Sequence, residues 1–174
     1  MVELDTQQQA LAYLARIFPG STFRVVPFEM GWVGSPILPQ ENPTGPAVGS
    51  TKLVIDSQTG VVTEYPSWST NMVAEDYLEA SRTGRPPTGG QIYPYQWRIA
   101  IRRLREDPET ITYQMTAVSL NDPPEPTREH PLTINKHTLL SEPPDTLSNV
   151  ATSHAEWMSR QNHGVWPAET TTEF

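Results

Sequence analysis

Apolar residues near the start of the chain recur with the period of an α-helix. The i, i+3, i+4, i+7 spacing is shown by Ala10, Leu11, Leu14, Ile17 and Phe18. Asp5 or Thr6 can cap the first turn, and Pro19-Gly20 ends the pattern. The pattern predicts a helix over about residues 5–18 with one buried face.

Strand-forming residues follow this helix. Thr22–Met30 is rich in Phe and Val, and Pro27 makes it an edge strand or two short pieces. Gly31–Gly34 can continue the strand. Residues 35–50 carry four prolines, which predicts a long loop.

The clearest alternation lies at Thr51–Tyr65 and predicts a β-hairpin. Strands are expected over Thr51–Asp56 and Val61–Tyr65. Asp56 or Ser57 can start a type I turn, and Gly60 can adopt the positive φ that closes a bulged hairpin.

A second helix is predicted at about residues 72–82. Asn71 can cap it, and Glu75 and Asp76 fall in its first turns, where acidic side chains stabilise a helix. Thr83–Pro87 stops it. Residues 88–94 are expected to form a linker or loop.

The next segments have mixed signals. Tyr95–Arg105 fits a helix that buries Ala100 and Leu104, and equally a strand that buries Ile99 and Ile101. Periodicity does not separate these alternatives. Ile111–Leu120 alternates and predicts a strand, and 132–140 predicts a short one.

A last helix is expected over Val150–Gln161, anchored by Trp157 and Met158. Residues 167–174 are polar and predict a flexible, fraying tail. The expected fold is α+β, with an antiparallel sheet backed by two helices in a domain over residues 1–85. Residues 90–166 either extend that sheet or form a second small layer.

Composition limits the core and the function. Hydrophobic residues make up 36% of the 174-residue chain, and its 18 prolines are roughly twice the ordinary frequency, so we expect a thin core with long connections. The chain has no cysteine, which excludes disulfides and zinc–thiolate sites. It shows no secretory signal and no long apolar run, so we expect a cytoplasmic protein that does not cross a membrane.

The net charge of −8 favours solubility or a partner with a basic face. The main basic cluster, around Arg98–Arg105, is short and is followed at once by Glu106 and Asp107. Nucleic-acid binding requires clustered Lys and Arg, so none is expected.

The first half resembles the bacterial immunity protein 35 family over about residues 8–80. The matching pieces, in chain order, are Ala12-Tyr13-Leu14, Trp32, Gly49, Leu53-Val54-Ile55-Asp56, Thr59-Gly60 with Val61-Val62, and Asp76-Tyr77-Leu78-Glu79. The family's Gly-Asn-x-Pro before the hairpin is replaced here by Gly49-Ser50-Thr51-Lys52. The resemblance implies an α+β protein of the cytoplasm that binds and blocks a cognate toxin.

No catalytic, cofactor or metal site is expected. The four histidines, His130, His137, His154 and His163, lack the spacing of a metal site. Gly49-Ser50-Thr51-Lys52 precedes a strand, whereas a phosphate-binding loop opens a helix, so it is interpreted as a turn. Asp56 and Glu64 are interpreted as a turn residue and a solvated strand position.

Aromatic residues near proline-rich segments are the more informative set. Trp68 and the Tyr93–Tyr95 pair are equally consistent with an interface and with a core, whereas Trp32 and Trp97 are expected in the core.

The leading hypothesis is an immunity protein that occludes a toxin's active site. Its contacts with a basic toxin face would come from Glu41, Glu64, Tyr65, Trp68, Glu75, Asp76 and Glu79. The alternatives are a non-catalytic adaptor or chaperone-like module, and an enzyme.

Overall fold

The computed structural model describes residues 2–37 and 50–174. The chain divides into two units, Met1–Pro94 and Tyr95–Phe174, each with its own antiparallel sheet. The α+β fold expected from the sequence is therefore confirmed. Among the described residues, no helix combines the length and apolarity needed to cross a membrane.

The first unit contains two helices and five strands. In chain order they are α1 (Gln7–Ile17), β1 (Phe23–Phe28), β2 (Gly31–Pro36), β3 (Lys52–Asp56), β4 (Val62–Tyr65), α2 (Thr70–Thr83) and β5 (Gly90–Tyr93). The strands form one sheet in sequential order, β1-β2-β3-β4-β5. Both predicted helices and the Thr51–Tyr65 hairpin are confirmed, although Ser69 rather than Asn71 caps α2.

The first sheet has a buried layer on each face. Leu53, Ile55 and Val62 pack with the apolar side of α1, including Leu14. Val54 and Tyr65, on the other face, pack with Val73 of α2. Successive strand residues point to opposite faces, so a nearly continuous apolar run such as Leu53-Val54-Ile55 suits a sheet that lies between two helices.

The sequence suggested that Gly31–Gly34 could continue the preceding strand, but in the structure this segment belongs to a separate strand. The chain reverses after β1, and β2 pairs back on it, with Phe28 opposite Gly31. Gly31 makes the reversal possible because its φ of 150° is one that residues with a Cβ rarely adopt. Pro27 lies in β1, which is an edge strand as predicted.

The second unit contains one helix and five strands among its described residues. They are β6 (Trp97–Glu106), β7 (Thr110–Ser119), β8 (Arg128–Asn135), β9 (Ser141–Glu142), α3 (Thr146–Gln161) and β10 (Glu169–Glu173). The sheet order is β10-β6-β7-β8-β9. Tyr95–Arg105, which the sequence left open, is mostly strand. Leu104, an inward residue in the helical alternative, is 51% exposed.

Helix α3 covers one face of the second sheet. Its Leu147, Ala151 and Ala155 pack on a core that includes Ile99 and Tyr113. Trp157 was predicted to anchor this helix, but it is 56% exposed because it lies off the stripe that faces the sheet.

The end of the chain differs from the expected fraying tail. Glu169–Glu173 form β10, which pairs antiparallel with β6, placing Thr171 opposite Ala100. The predicted strand at 132–140 also ends earlier, at Asn135, and a turn follows. The β10 difference arises from pairing between distant segments, which the local pattern does not record. The early end of β8 has a local cause, because the side chain of Asn135 accepts the backbone N–H groups of His137 and Thr138 and closes a turn.

Replacing Gly31 by alanine is expected to destabilise the first unit strongly. A Cβ at Gly31 would lie 2.1 Å from the carbonyl oxygen of Ile55 and 2.8 Å from the backbone nitrogen of Ser57. We expect Gly31→Ala to lower the free energy of unfolding by about 2–4 kcal/mol, because neither backbone atom can move alone. Urea unfolding measures this.

Gly90→Ala is the matched control, because a Cβ there meets no atom within 4 Å. That variant is expected to unfold within about 0.5 kcal/mol of the natural chain. Equal midpoints for the two variants would contradict the assignment of Gly31 as a sterically required glycine.

Candidate partner-binding surface

The carboxylate of Asp56 organises the hairpin turn. Its Oδ1 accepts the backbone N–H groups of Gln58 and Thr59, each at 2.9 Å, and its Oδ2 accepts the hydroxyl of Tyr77 at 3.1 Å. Asp56 is only 4% exposed. Burial, together with the adjacent Asp56 carboxylate, raises the pKa of Tyr77. Asp56 therefore opens the turn, as predicted, and also holds α2 through Tyr77.

Gly60 joins the same turn to α1. It has a φ of 72°, and its carbonyl oxygen accepts the hydroxyl of Tyr13 at 2.7 Å. A Cβ at Gly60 would approach that hydroxyl oxygen to 2.9 Å. Trp32 similarly donates its indole N–H to the carbonyl oxygen of Leu4 at 2.8 Å. These family-motif residues are thus internal framework of the first unit.

Asp76 forms a second internal network. Its two oxygens accept the Tyr65 hydroxyl at 2.8 Å, the Arg85 guanidinium at 2.8 Å, and the backbone N–H and hydroxyl of Thr88 at 2.9 and 3.0 Å. Burial acts to raise the pKa of Asp76, but these donors outweigh it and lower the pKa to about 2. The network fixes α2 to β4 and to the segment after α2.

The solvent side of α2 carries an acidic surface with an apolar residue. We call Met72, Glu75 and Glu79 the α2 ridge; all three are exposed, Met72 by 51%. Their i, i+3, i+7 spacing places them along one side of the helix. Arg85 lies 3.2 Å from Glu79, so it neutralises part of the ridge.

Trp68 lies at the start of α2. It is half-buried, and its ring centroid is 6.0 Å from that of Tyr65. The indole therefore packs partly on the core under α2 and leaves part of its surface accessible. This intermediate position is consistent with both of the roles that the sequence left open for it.

The structure separates the predicted contact residues. Glu64 is exposed but lies opposite Leu53 in the register, on the sheet face that packs against α1, so it is not beside the α2 ridge. Tyr65 is 1% exposed, and its buried ring is not available as a surface anchor. Asp76 is largely engaged by its own network. Glu41 lies outside the described residues.

Asp56 and Glu64 do not form a carboxylate pair. Glu64 pairs with Leu53, whereas the backbone of Asp56 bonds with that of Val61 at the hairpin end. The side chain of Asp56 is fully engaged by the turn and by Tyr77, and Glu64 is solvated. Both residues occupy the positions that the sequence predicted.

The histidines lie in the second unit. His130 Nε2 is 3.9 Å from Asp145, the residue that caps α3, and His154 Nε2 is 3.0 Å from the Thr170 hydroxyl. Burial lowers the pKa of His154. Across residues 2–37 and 50–174, no cluster of three or more His, Asp or Glu side chains could hold a metal ion.

The basic cluster around β6 is balanced by acidic neighbours. Arg98 contacts Glu173 at 2.9 Å, and Arg103 contacts Glu106 at 2.8 Å. Arg102 lies opposite Glu169 in the register. The strand pairing of β10 therefore supplies acidic residues that are distant in sequence.

An exposed apolar patch near the end of α3 was not found from the sequence. Trp157 is 56% exposed and Val165 is 58% exposed, and both line a shallow depression of about 250 Å³ with Met158 and Pro167. The turn signal at Asn162-His163-Gly164 could have indicated that the chain folds back here, but not which side of Trp157 faces solvent.

The Asp76 network is expected to make stability depend on pH. The pKa of Asp76 is about 2 in the folded chain and near 3.8 when unfolded, so its contribution is present above pH 4 and is lost as the pH falls towards 2. Up to about 2 kcal/mol is expected from this shift. Urea unfolding at pH 6 and pH 2.5 measures it.

Asp76→Asn is the control for that experiment, because asparagine does not titrate in this range. The difference in unfolding free energy between the natural chain and this variant should shrink at pH 2.5. A difference that stays constant between the two pH values would show that Asp76 does not carry the effect.

Residues 6–85 match the protein-family model described as Immunity protein 35-like domain. No curated protein and no solved structure matched the chain. The matched segment begins at the cap of α1 and ends after α2, so it includes Asp56, Gly60 and Asp76 and all of the partners described for them except Thr88. This match confirms the predicted resemblance: over residues 6–85 the chain is similar to the immunity protein 35 family.

Proposed function

We propose that this chain is a non-catalytic immunity protein that neutralises a cognate bacterial toxin in the cytoplasm by covering the toxin's active site. The observation that carries the proposal is the match of residues 6–85 to an immunity protein domain, which indicates a role in toxin immunity. Immunity protein families are generally non-catalytic. A protein partner follows from that role.

The networks of the first unit support a partner-binding surface on α2. Asp56, Gly60 and Tyr13 are occupied by bonds within the chain and serve as framework. A side chain can contact a partner only where it is accessible and not already occupied by bonds within the chain. The α2 ridge meets both conditions better than the buried motif residues do.

The chemistry of the α2 ridge fits a basic partner. Glu75 and Glu79 place two carboxylates beside an exposed Met72, and the chain as a whole has a net charge of −8. Negative charge speeds association with a basic surface and favours the correct partner. Met72 and the accessible part of Trp68 would supply the apolar contact at the centre.

The test of the function is inhibition of a toxin. The chain would be co-expressed with the product of the adjacent gene, and the purified complex would be analysed for stoichiometry and for residual toxin activity. A one-to-one complex without toxin activity is expected. Failure to form a complex would overturn the proposal.

Charge reversal on the two sides of the first sheet tests the surface. Glu75→Lys is expected to weaken toxin binding at least about tenfold, because it places a cation against a basic face. Glu64→Lys makes the same change on the α1 side and is expected to leave the affinity within about twofold. Isothermal titration calorimetry with the natural chain as reference measures both.

The thermal midpoints of both variants should stay close to that of the natural chain, since both residues are exposed. A larger loss for Glu64→Lys than for Glu75→Lys would move the binding surface to the α1 side. If both variants changed the toxin affinity only slightly and equally, neither Glu64 nor Glu75 would lie in the interface.

The second candidate function is a non-catalytic adaptor. The exposed apolar patch of Trp157 and Val165 favours it, because such patches mark protein contacts. Binding of the adjacent gene's product without loss of its activity would support the adaptor role over the immunity role.

A further inference from the structure

The edges of the two sheets differ in how they are protected. Edge strands expose backbone N–H and C=O groups that can pair with another chain. β1 carries Pro27, β9 has two residues, and β5 ends at Tyr93 before Pro94. β10, the fourth edge strand of the described sheets, has five residues and no proline.

The register shows which groups of β10 face outward. Phe174 and Trp97 exchange both backbone hydrogen bonds, at 2.9 Å each, and the N–H of Arg103 donates to the carbonyl oxygen of Ala168 at 2.7 Å. In an antiparallel pair the bonded positions alternate, so Thr170 and Thr172 also face β6. The backbone groups of Glu169, Thr171 and Glu173 therefore point away from the sheet. All three residues are exposed.

The side chains at this edge are acidic. Glu169 and Glu173 lie on the same face of β10, on either side of Thr171. Arg98 donates both of its hydrogen bonds to Oε1 of Glu173, which leaves Oε2 open. Within the described ranges, Glu169 lies opposite Arg102 but forms no hydrogen bond or ion pair with its carboxylate.

A second copy of the chain is a poor occupant of this edge. An antiparallel pair centred on Thr171 would place Glu169 directly opposite Glu173 of the other copy, and a parallel in-register pair would place each glutamate beside itself. Like charges directly opposite each other destabilise strand pairing. Arg98 and Arg102 partly neutralise the two glutamates from the β6 side, but the carboxylate of Glu169 and Oε2 of Glu173 remain available at the open edge. The pattern therefore complements a strand with basic residues four positions apart.

We infer that β10 is a binding site for an extended polypeptide segment that carries Arg or Lys at two positions four residues apart and adds a sixth strand to the second sheet. The backbone groups of Glu169, Thr171 and Glu173 supply the hydrogen bonds, and the two carboxylates select the basic side chains. This site lies outside the family match and does not depend on the proposed immunity function.

The probe is the blocked peptide acetyl-Thr-Arg-Thr-Val-Thr-Arg-Thr-amide, and its control has Glu in place of both Arg residues. Binding to the full chain would be followed by amide NMR and hydrogen exchange. The Arg peptide is expected to shift and protect the amides of Glu169, Thr171 and Glu173. The Glu peptide is expected to bind at least about tenfold more weakly.

Thr171→Pro removes one outward N–H without removing a bond to β6, because proline is tolerated on the open side of an edge strand. It is expected to lower the affinity for the Arg peptide about tenfold or more, whereas Thr171→Val is expected to bind the Arg peptide as tightly as the natural chain does. Unfolding curves check that both variants retain the second unit.

The double variant Glu169→Gln, Glu173→Gln tests the charges without altering the backbone, and it decides the matter if Thr171→Pro fails to fold. Loss of the preference for the Arg peptide is expected. Equal binding of both peptides to the natural chain, or protection confined to residues outside β10, would overturn the proposal.

Discussion

The buried carboxylate of Asp56 is the interaction on which the first unit depends most. It closes the hairpin turn with Oδ1 and holds Tyr77 of α2 with Oδ2. The same turn presents the Gly60 carbonyl oxygen to Tyr13 of α1. One turn thus positions a helix on each face of the sheet, and a buried carboxylate is tolerated because its oxygens are satisfied.

In the first unit, the residues that hold the fold together are different from the exposed residues of α2. The residues that define the family resemblance are largely those that hold the sheet between its two helices, so their pattern records the fold more than the identity of a partner. Glu75 of the exposed α2 ridge takes no part in these networks, so its charge can change at little cost in stability.

The second unit follows a different plan. Its sheet is covered by α3 on one face, and the other face is polar, with charged residues paired between β6 and β10. Covering one face only is common in antiparallel sheets. β10 supplies the acidic residues that lie beside the arginines of β6. Among the described edge strands it is also the longest one without proline. The same strand therefore carries the acidic side chains and exposes backbone groups for pairing.

The sequence alone determined three local elements of the first unit, the Thr51–Tyr65 hairpin and the two helices, but not the reversal between β1 and β2 or strand β5. Helix periodicity, the Asp56–Gly60 turn and strand alternation are local properties, and the hairpin and both helices were found correctly. It did not determine that Glu64 and Glu75 lie on opposite sides of the sheet, that Tyr65 is buried, or that Tyr95–Arg105 is mostly strand. Those outcomes depend on which elements pair and which face each one buries. Only the tertiary structure decided them, and β10 exists because β6 offers it a partner distant in sequence.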